Sequence, residues 1–392
     1  MELPTHLIHH PYRAPADFDA VLPGVHKAST VIFPNVAAMR SREWKDKSAY
    51  TYGLHGTPTT FTLEERIATL EGGRHCVLAP SGLAAIALVD MAFLRSGDVL
   101  LIPDNAYGPN KSLAMGELAA WGIRHRSYDP MDPQDLAAQI CPDTRLVWLE
   151  AAGSVTLEFP DVPALVAVVQ QANLERGGRR IITALDNTWG AGVAFAPFAL
   201  GVDVSMQALT KYPSGGADVL MGSVVTCDES LHRKLLLAHM RLGLGVGGND
   251  AELVLRGLPS LHLRYRAQDA TARSLVDWMQ RQPRVARVFH PALPGSPGHE
   301  IWLRDAKGAA CLFSVVFDSD VEAERVDVFC DALRLFKLGY SWAGPISLCV
   351  PYDVPQMRDR PWLHSPRLVR FAVGLEALDD LRADLEQALQ RV

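Results

Sequence analysis

Val202-Asp-Val-Ser-Met-Gln-Ala-Leu-Thr-Lys211-Tyr212 is an apolar run that ends on a hydroxyl and an amine. Its composition predicts a buried strand that delivers a lysine to the mouth of an α/β sheet. A second run, Ile181-Ile-Thr-Ala-Leu185, ends on Asp186-Asn-Thr188 and brings a carboxylate to the same sheet edge. Taken alone, each residue has a plainer reading. Lys211 alone is a solvated lysine past a strand end, and Asp186 alone is a helix N-cap. Both at one edge point instead to chemistry.

Around these two strands the chain alternates helices with short apolar runs. Helical patterns cover Thr62 to Leu70, Gly82 to Leu94 and Pro163 to Gln171, and strand patterns cover His75 to Ala79, Val99 to Ile102 and Leu146 to Glu150. That alternation predicts a mostly parallel sheet covered on both faces over residues 61–255. Residues 1–60 are rich in Pro, His and Gly and weakly periodic, which predicts an extended arm and not a packed domain. Residues 256–392 mix a long polar helix, Tyr265 to Arg281, with runs at Val285 to Phe289, Cys311 to Phe317 and Leu368 to Val373, then a helix from Asp379 to Leu389. This mixture predicts a smaller α+β domain.

Composition narrows the function classes. The chain has 392 residues and a net charge of −6 without a basic block, which argues against nucleic acid as partner. Its six cysteines form no Cys-x-x-Cys pair and no Cys/His cluster at zinc spacing, so they read as reduced core thiols and no metal is expected. His9-His10 reads as a solvated pair. No basic leader with an apolar core opens the chain and no run reaches membrane-span length, so a cytoplasmic protein without membrane contact is expected.

Lysine plus aspartate at one sheet edge is the pair that pyridoxal phosphate requires, an amine to form an imine and an anion to keep the pyridine nitrogen protonated. Other residues fit that cofactor. Cys76-Val-Leu-Ala-Pro-Ser-Gly82-Leu83 reads as strand, tight turn and helix start, where amide groups approached closely at Gly82 can hold a phosphate. Thr210 adds a hydroxyl beside it. Tyr107, in the turn Asn105-Ala-Tyr-Gly108-Pro109, can stack on the ring or sit as a half-buried turn residue. Arg370, in Pro366-Arg-Leu-Val-Arg-Phe-Ala-Val-Gly374, matches an amino-acid carboxylate or a structural ion pair. Tyr340-Ser341-Trp342 can shape a substrate pocket, with core packing as the plainer role for Trp342.

The chain resembles the Cys/Met metabolism family of pyridoxal-phosphate enzymes, and within it the bacterial cystathionine β-lyase branch. The marks are Tyr52-Gly-x-x-Gly56-Thr57, Leu70-Glu-Gly-Gly73, Asp186-Asn-Thr-Trp189, Ser205-x-Gln-Ala-x-Thr-Lys-Tyr212, His290-Pro-Ala-Leu-Pro294, Gly298-His299, Leu338-Gly-Tyr-Ser-Trp342 and Val373-Gly-Leu-Glu376. The resemblance implies an aspartate-aminotransferase-like fold, the α/β type I fold of these enzymes, with a seven-stranded mostly parallel sheet and a smaller C-terminal α+β domain. It implies Lys211 as imine lysine, Asp186 as partner of the pyridine nitrogen, Tyr107 as stacking ring, and Gly82, Leu83 and Thr210 at the phosphate. It also implies a homotetramer built from tight dimers with shared active sites, in which Tyr52 reaches the neighbouring subunit's phosphate, and Arg370 as holder of the substrate carboxylate.

The implied reaction is α,β-elimination from an S-substituted L-cysteine such as cystathionine. Other cysteine conjugates or cysteine itself, a γ-acting lyase or synthase, and a catalytically weak regulatory protein that binds the cofactor are the alternatives. Two departures stand out. Leu54 and His55 replace an arginine pair whose first member binds phosphate across the dimer, with His55 as the substitute contact. Ala343-Gly-Pro345-Ile346-Ser347 replaces a Gly-Gly-aromatic-Glu-Ser segment, which predicts an altered pocket wall.

Overall fold

The computed structural model describes residues 2–11, 16, 20–43, 47 and 49–392; the remaining residues of the expected arm lie outside the description. The larger sheet has seven strands: β1 (His75–Ala79), β2 (Val99–Pro103), β3 (Arg124–Tyr128), β4 (Thr144–Glu150), β5 (Ile182–Asp186), β6 (Val204–Ala208) and β7 (Gly222–Thr226), in the order β1-β7-β6-β5-β4-β2-β3. Only β7 runs against its neighbours. Alternation explains the layers. Leu78, Leu101, Val147 and Leu185 point into one apolar core, whereas Val77, Leu100, Trp148 and Ala184 point into the other. Strands covered on both faces therefore read as continuous apolar runs.

Two strands of this sheet are not legible as apolar runs bounded by turns. Arg124–Tyr128 is an edge strand whose first three residues are exposed, so it carries charge where a central strand would carry Val or Leu. Gly222–Thr226 is short, fully buried and opened by a glycine. The smaller sheet has five strands, β8 (Val285–Phe289), β9 (Leu312–Phe317), β10 (Lys337–Leu338), β11 (Leu348–Asp353) and β12 (Arg367–Ala372), in the order β10-β11-β12-β9-β8. Phe313 and Phe371 stack across β9 and β12 with ring centroids 4.9 Å apart.

The helix expected from Tyr265 starts earlier, at Gly248, and runs to Met279. The point between residues 255 and 256, expected to separate two domains, falls inside it. Ala251, Val254, Leu255 and Leu258 keep the helical spacing there, but internal Pro259 marks a helix break in the sequence and masks that start. The arm also differs from its expectation in part: Leu3–Ile8 is a helix, and Leu7 is buried in the main core of its own chain.

Helix Pro58–Glu71 is tied to the sheet by its last residue. The Glu71 carboxylate accepts hydrogen bonds from Ser205 Oγ and Gln207 Nε2 on β6, and from Asn187 Nδ2 at 3.2 Å. Burial raises Glu71 to about 7. Removing the carboxyl would strand three buried donors. Glu71→Ala is therefore expected to destabilise the chain by about 3 kcal/mol, seen as a lower urea midpoint with an unchanged slope.

Candidate active site

The carboxyl ends of β1, β2, β4, β5 and β6 lie along one edge of the larger sheet, which is where open α/β sheets bind ligands. A cavity of about 570 Å³ opens there, between that edge and residues of the smaller sheet. It gathers Gly82, Leu83, Tyr107, Asp186, Thr210, Lys211, Tyr340, Ser341, Trp342 and Arg370. Ten residues from distant parts of the sequence thus line one cavity.

Lys211 stands in the turn after β6. Its Nζ donates to Ser341 Oγ at 2.6 Å and lies 5.5 Å from the Trp342 ring centroid. Burial, and then the charge of Arg370, lower the amine to about 8. An amine lowered this far keeps roughly a tenth of its population neutral at pH 7, far more than an ordinary lysine, and the neutral form is the nucleophile and base. Ser341 has a φ of +84° and Ala343 one of +63°, so the loop is held in the left-handed region that non-glycine residues seldom adopt.

At the helix start expected to meet the phosphate, Ser81 caps helix Gly82–Phe93 by accepting the Ala84 N–H at 3.0 Å on its hydroxyl and the Ala85 N–H on its carbonyl. The first two amides, those of Gly82 and Leu83, have no acceptor within the helix. A Cβ on Gly82 would sit 2.7 Å from Ala208 Cβ. Only glycine lets this helix start press against the end of β6, leaving an amide cradle suited to an anion. The Thr210 hydroxyl is less free than expected: it donates to Met221 O at 3.2 Å and accepts the Met221 N–H at 3.1 Å.

Asp186 ends β5 and accepts the Thr188 N–H at 2.9 Å, so the capping role holds in part as an Asx turn. Burial raises its carboxyl above the usual range; Thr188 and the Lys211 charge oppose that rise. A bound cationic N–H donor would relieve it. Glu150, paired with Asp186 in register at the end of β4, is a member of the site that the sequence reading missed. It accepts the Tyr107 backbone N–H at 2.8 Å, and burial followed by the Asp186 charge holds its carboxyl well above the usual range. The Tyr107 ring lines the cavity, half exposed.

Arg370 lies on β12, buried, with one terminal nitrogen donating to Ser341 O at 3.1 Å and its guanidinium 5.4 Å from the Tyr352 ring centroid. No carboxylate pairs with it among the described residues, which removes the structural ion pair from consideration. Its Nε is buried without an acceptor. An orphaned, planar cation facing a cavity fits a carboxylate ligand.

Tyr52 and His55 do not line the cavity of their own chain. Tyr52 is exposed and forms an isolated bridge with Thr30, while His55 bonds Thr51 Oγ1 at 2.8 Å and lies with Leu54 beside Leu236 and His239. Pro345 and Ile346 also stand outside the cavity lining, so the altered wall expected there is absent: Pro345 O accepts the Leu375 N–H at 2.9 Å, and Ser347 Oγ bonds Glu376 at 2.8 Å.

Comparison with known proteins agrees with this geometry. The chain is 39% identical over 94% of its length, and 92% of the relative's, to cystathionine beta-lyase of Bordetella avium. It is 36% identical to cystathionine beta-lyase MetC of Escherichia coli, covering 94% of this chain and 93% of that one. The crystal structure of metB from Corynebacterium glutamicum superposes with a TM-score of 0.90 at 27% identity, covering 100% of this chain and 98% of that one. The type I fold expected for the chain is thereby established. With the family model for Cys/Met metabolism PLP-dependent enzymes matching residues 4–390, the chain belongs to that family.

Proposed function

We propose that the chain is a carbon–sulfur β-lyase that cleaves L-cystathionine to homocysteine, pyruvate and ammonia. The observation that carries this reading is Ser341 joining Lys211 and Arg370 at one cavity, with Asp186 at the neighbouring strand end. When bound, pyridoxal phosphate supplies the sink that stabilises charge at the substrate α-carbon. The chain supplies the rest.

The Gly82 and Leu83 amides would hold the phosphate, and Asp186 would give the pyridine nitrogen its anion. Tyr107 would cover the ring. Arg370 takes the substrate carboxylate on Nε and a terminal nitrogen, which fixes the direction of the α C–H bond. Lys211, aimed by Ser341, accepts that proton and returns it to the sulfur as the Cβ–S bond breaks. The released three-carbon enamine hydrolyses to pyruvate and ammonia. Tyr52 and His55 serve the cavity of a neighbouring copy in a cytoplasmic homotetramer, a role supported by their standing outside the lining of their own cavity. No helix among the described residues is long and apolar enough to cross a membrane.

The test is pyruvate release from L-cystathionine by the purified, cofactor-saturated protein. Release of 2-oxobutyrate instead would favour γ-elimination, and neither product would end the cystathionine reading. A second expectation concerns pH. Because Lys211 is lowered to about 8, the rate at which apoprotein captures pyridoxal phosphate should rise about tenfold per unit below pH 8 and flatten above about pH 9. An ordinary lysine would keep rising to about pH 10, which stopped-flow absorbance distinguishes.

A further inference from the structure

The segment between β11 and β12 leaves the smaller sheet, contributes Met357 to the cavity lining and is fastened by charge to loops that follow strands of the larger sheet. Arg358 is the centre of that fastening. Its Nε donates to Asp104 Oδ2 at 3.1 Å, and a terminal nitrogen donates to Glu158 Oε1 at 2.9 Å. All three side chains are buried or nearly so. Asp104 also accepts the Asp359 N–H at 2.7 Å, Lys111 Nζ donates to Met357 O at 2.8 Å, and Arg360 reaches Asp135 at 2.6 Å.

The two carboxylates belong to different loops of the site. Asp104 and Asn105 come directly after β2 and lead into Tyr107. Glu158 closes the loop that follows β4, where Gly153 and Val155 line the cavity. It accepts Asn105 Nδ2 at 2.6 Å and Thr156 Oγ1 at 2.8 Å on one oxygen while Arg358 holds the other. In the same loop Val155 and Leu157 have φ of +69° and +57°, a backbone that persists only when its surroundings impose it. Met357, next to Arg358, also lines the cavity and packs against the same apolar cluster as Val155.

A buried ion cluster is a poor device for stability, since apolar packing of the same volume serves as well. What a planar guanidinium does that apolar packing cannot is hold two carboxylates at a fixed separation and angle. We propose that Arg358 is a positioning residue: it holds Val155 and Met357 in place as one face of the cavity, and so sets the grip of the cavity on the side chain of the substrate. This rests on the cavity being the amino-acid site proposed above.

The test uses the holoenzyme and two ligands without a leaving group, glycine and L-norleucine, whose binding is followed through the visible absorbance of the cofactor. Both present the same amine and carboxylate, and only norleucine extends along the wall. In Arg358→Met, norleucine binding is expected to weaken about tenfold or more and glycine binding by less than about threefold. Equal weakening of both, or no change in either, overturns the proposal. Should Arg358→Met not accumulate as folded holoenzyme, Arg358→Lys, whose point charge reaches one carboxylate at a time, is read by the same norleucine-to-glycine ratio. That ratio must then rise about threefold or more. Binding is independent of turnover, so a wild-type protein that binds both ligands but releases no pyruvate from L-cystathionine sinks the lyase reading alone. A wild-type holoenzyme that binds neither overturns both.

Discussion

Lys211→Ala is expected to lower pyruvate release from L-cystathionine by about 10⁴-fold or more and to abolish the visible band that the bound cofactor shows in the wild-type protein. The size of the effect follows from the two duties assigned to one amine. As nucleophile it attaches the cofactor, and as base it moves the α-proton. Among the described residues no other lysine lines the cavity, so none of them can substitute. The measurement pairs a pyruvate assay with an absorbance spectrum taken at saturating pyridoxal phosphate. A variant that keeps a substantial fraction of wild-type turnover would overturn the assignment. Added methylamine should restore part of the activity, because the cavity left by the truncated side chain can admit a small base.

Arg370→Met should cost about 10²- to 10³-fold in kcat/KM for L-cystathionine, most of it in KM. The guanidinium has one nitrogen committed to Ser341 O and a buried Nε without an acceptor. A substrate carboxylate supplies what is missing, and hydrogen bonds to a charged group contribute about 1.5–3 kcal/mol each. Arg370→Lys should recover only a small part, since an ammonium cannot match the planar fork. Cofactor absorbance should be retained in both variants. If Arg370→Met left KM unchanged, the carboxylate would have to bind elsewhere. The loss of the Arg370 charge should also let the Lys211 amine rise from about 8, because that charge is the second cause of its lowering. The pH at which cofactor capture flattens would then move upward.

How far the sequence speaks depends on whether a feature is local. The ends of β5 and β6 were legible because strands buried on both faces are written as apolar runs, and the residues that follow them land on one edge by topology alone. The start of the long helix at Gly248 was masked by Pro259, a helix breaker, although Ala251, Val254, Leu255 and Leu258 carry the helical spacing. Lys211, Asp186, Tyr107 and Arg370 were legible as site residues through residue type, and the cavity brings all four together. Glu150 was missed although it directly ends an apolar run, the same signal that singled out Asp186. Arg358 carries no such signal: its partners lie 200 and 254 residues away along the chain, and no short pattern encodes a contact of that range. The altered wall expected at Pro345 failed for a related reason. Proximity to Trp342 in sequence says nothing about which way the loop turns after Gly344.

The Ser341 bridge also constrains how this protein can diverge. Its hydroxyl receives Lys211 and its carbonyl receives Arg370, so the proposed base and the proposed carboxylate anchor are mechanically one unit. A mutation that retunes either will drag the other with it, and double substitutions at 211, 341 and 370 will be non-additive. The side-chain wall held by residues 357 and 358 has no such tether to Lys211. New specificities are therefore open to this scaffold along the length of the substrate, whereas its head group is fixed by inheritance.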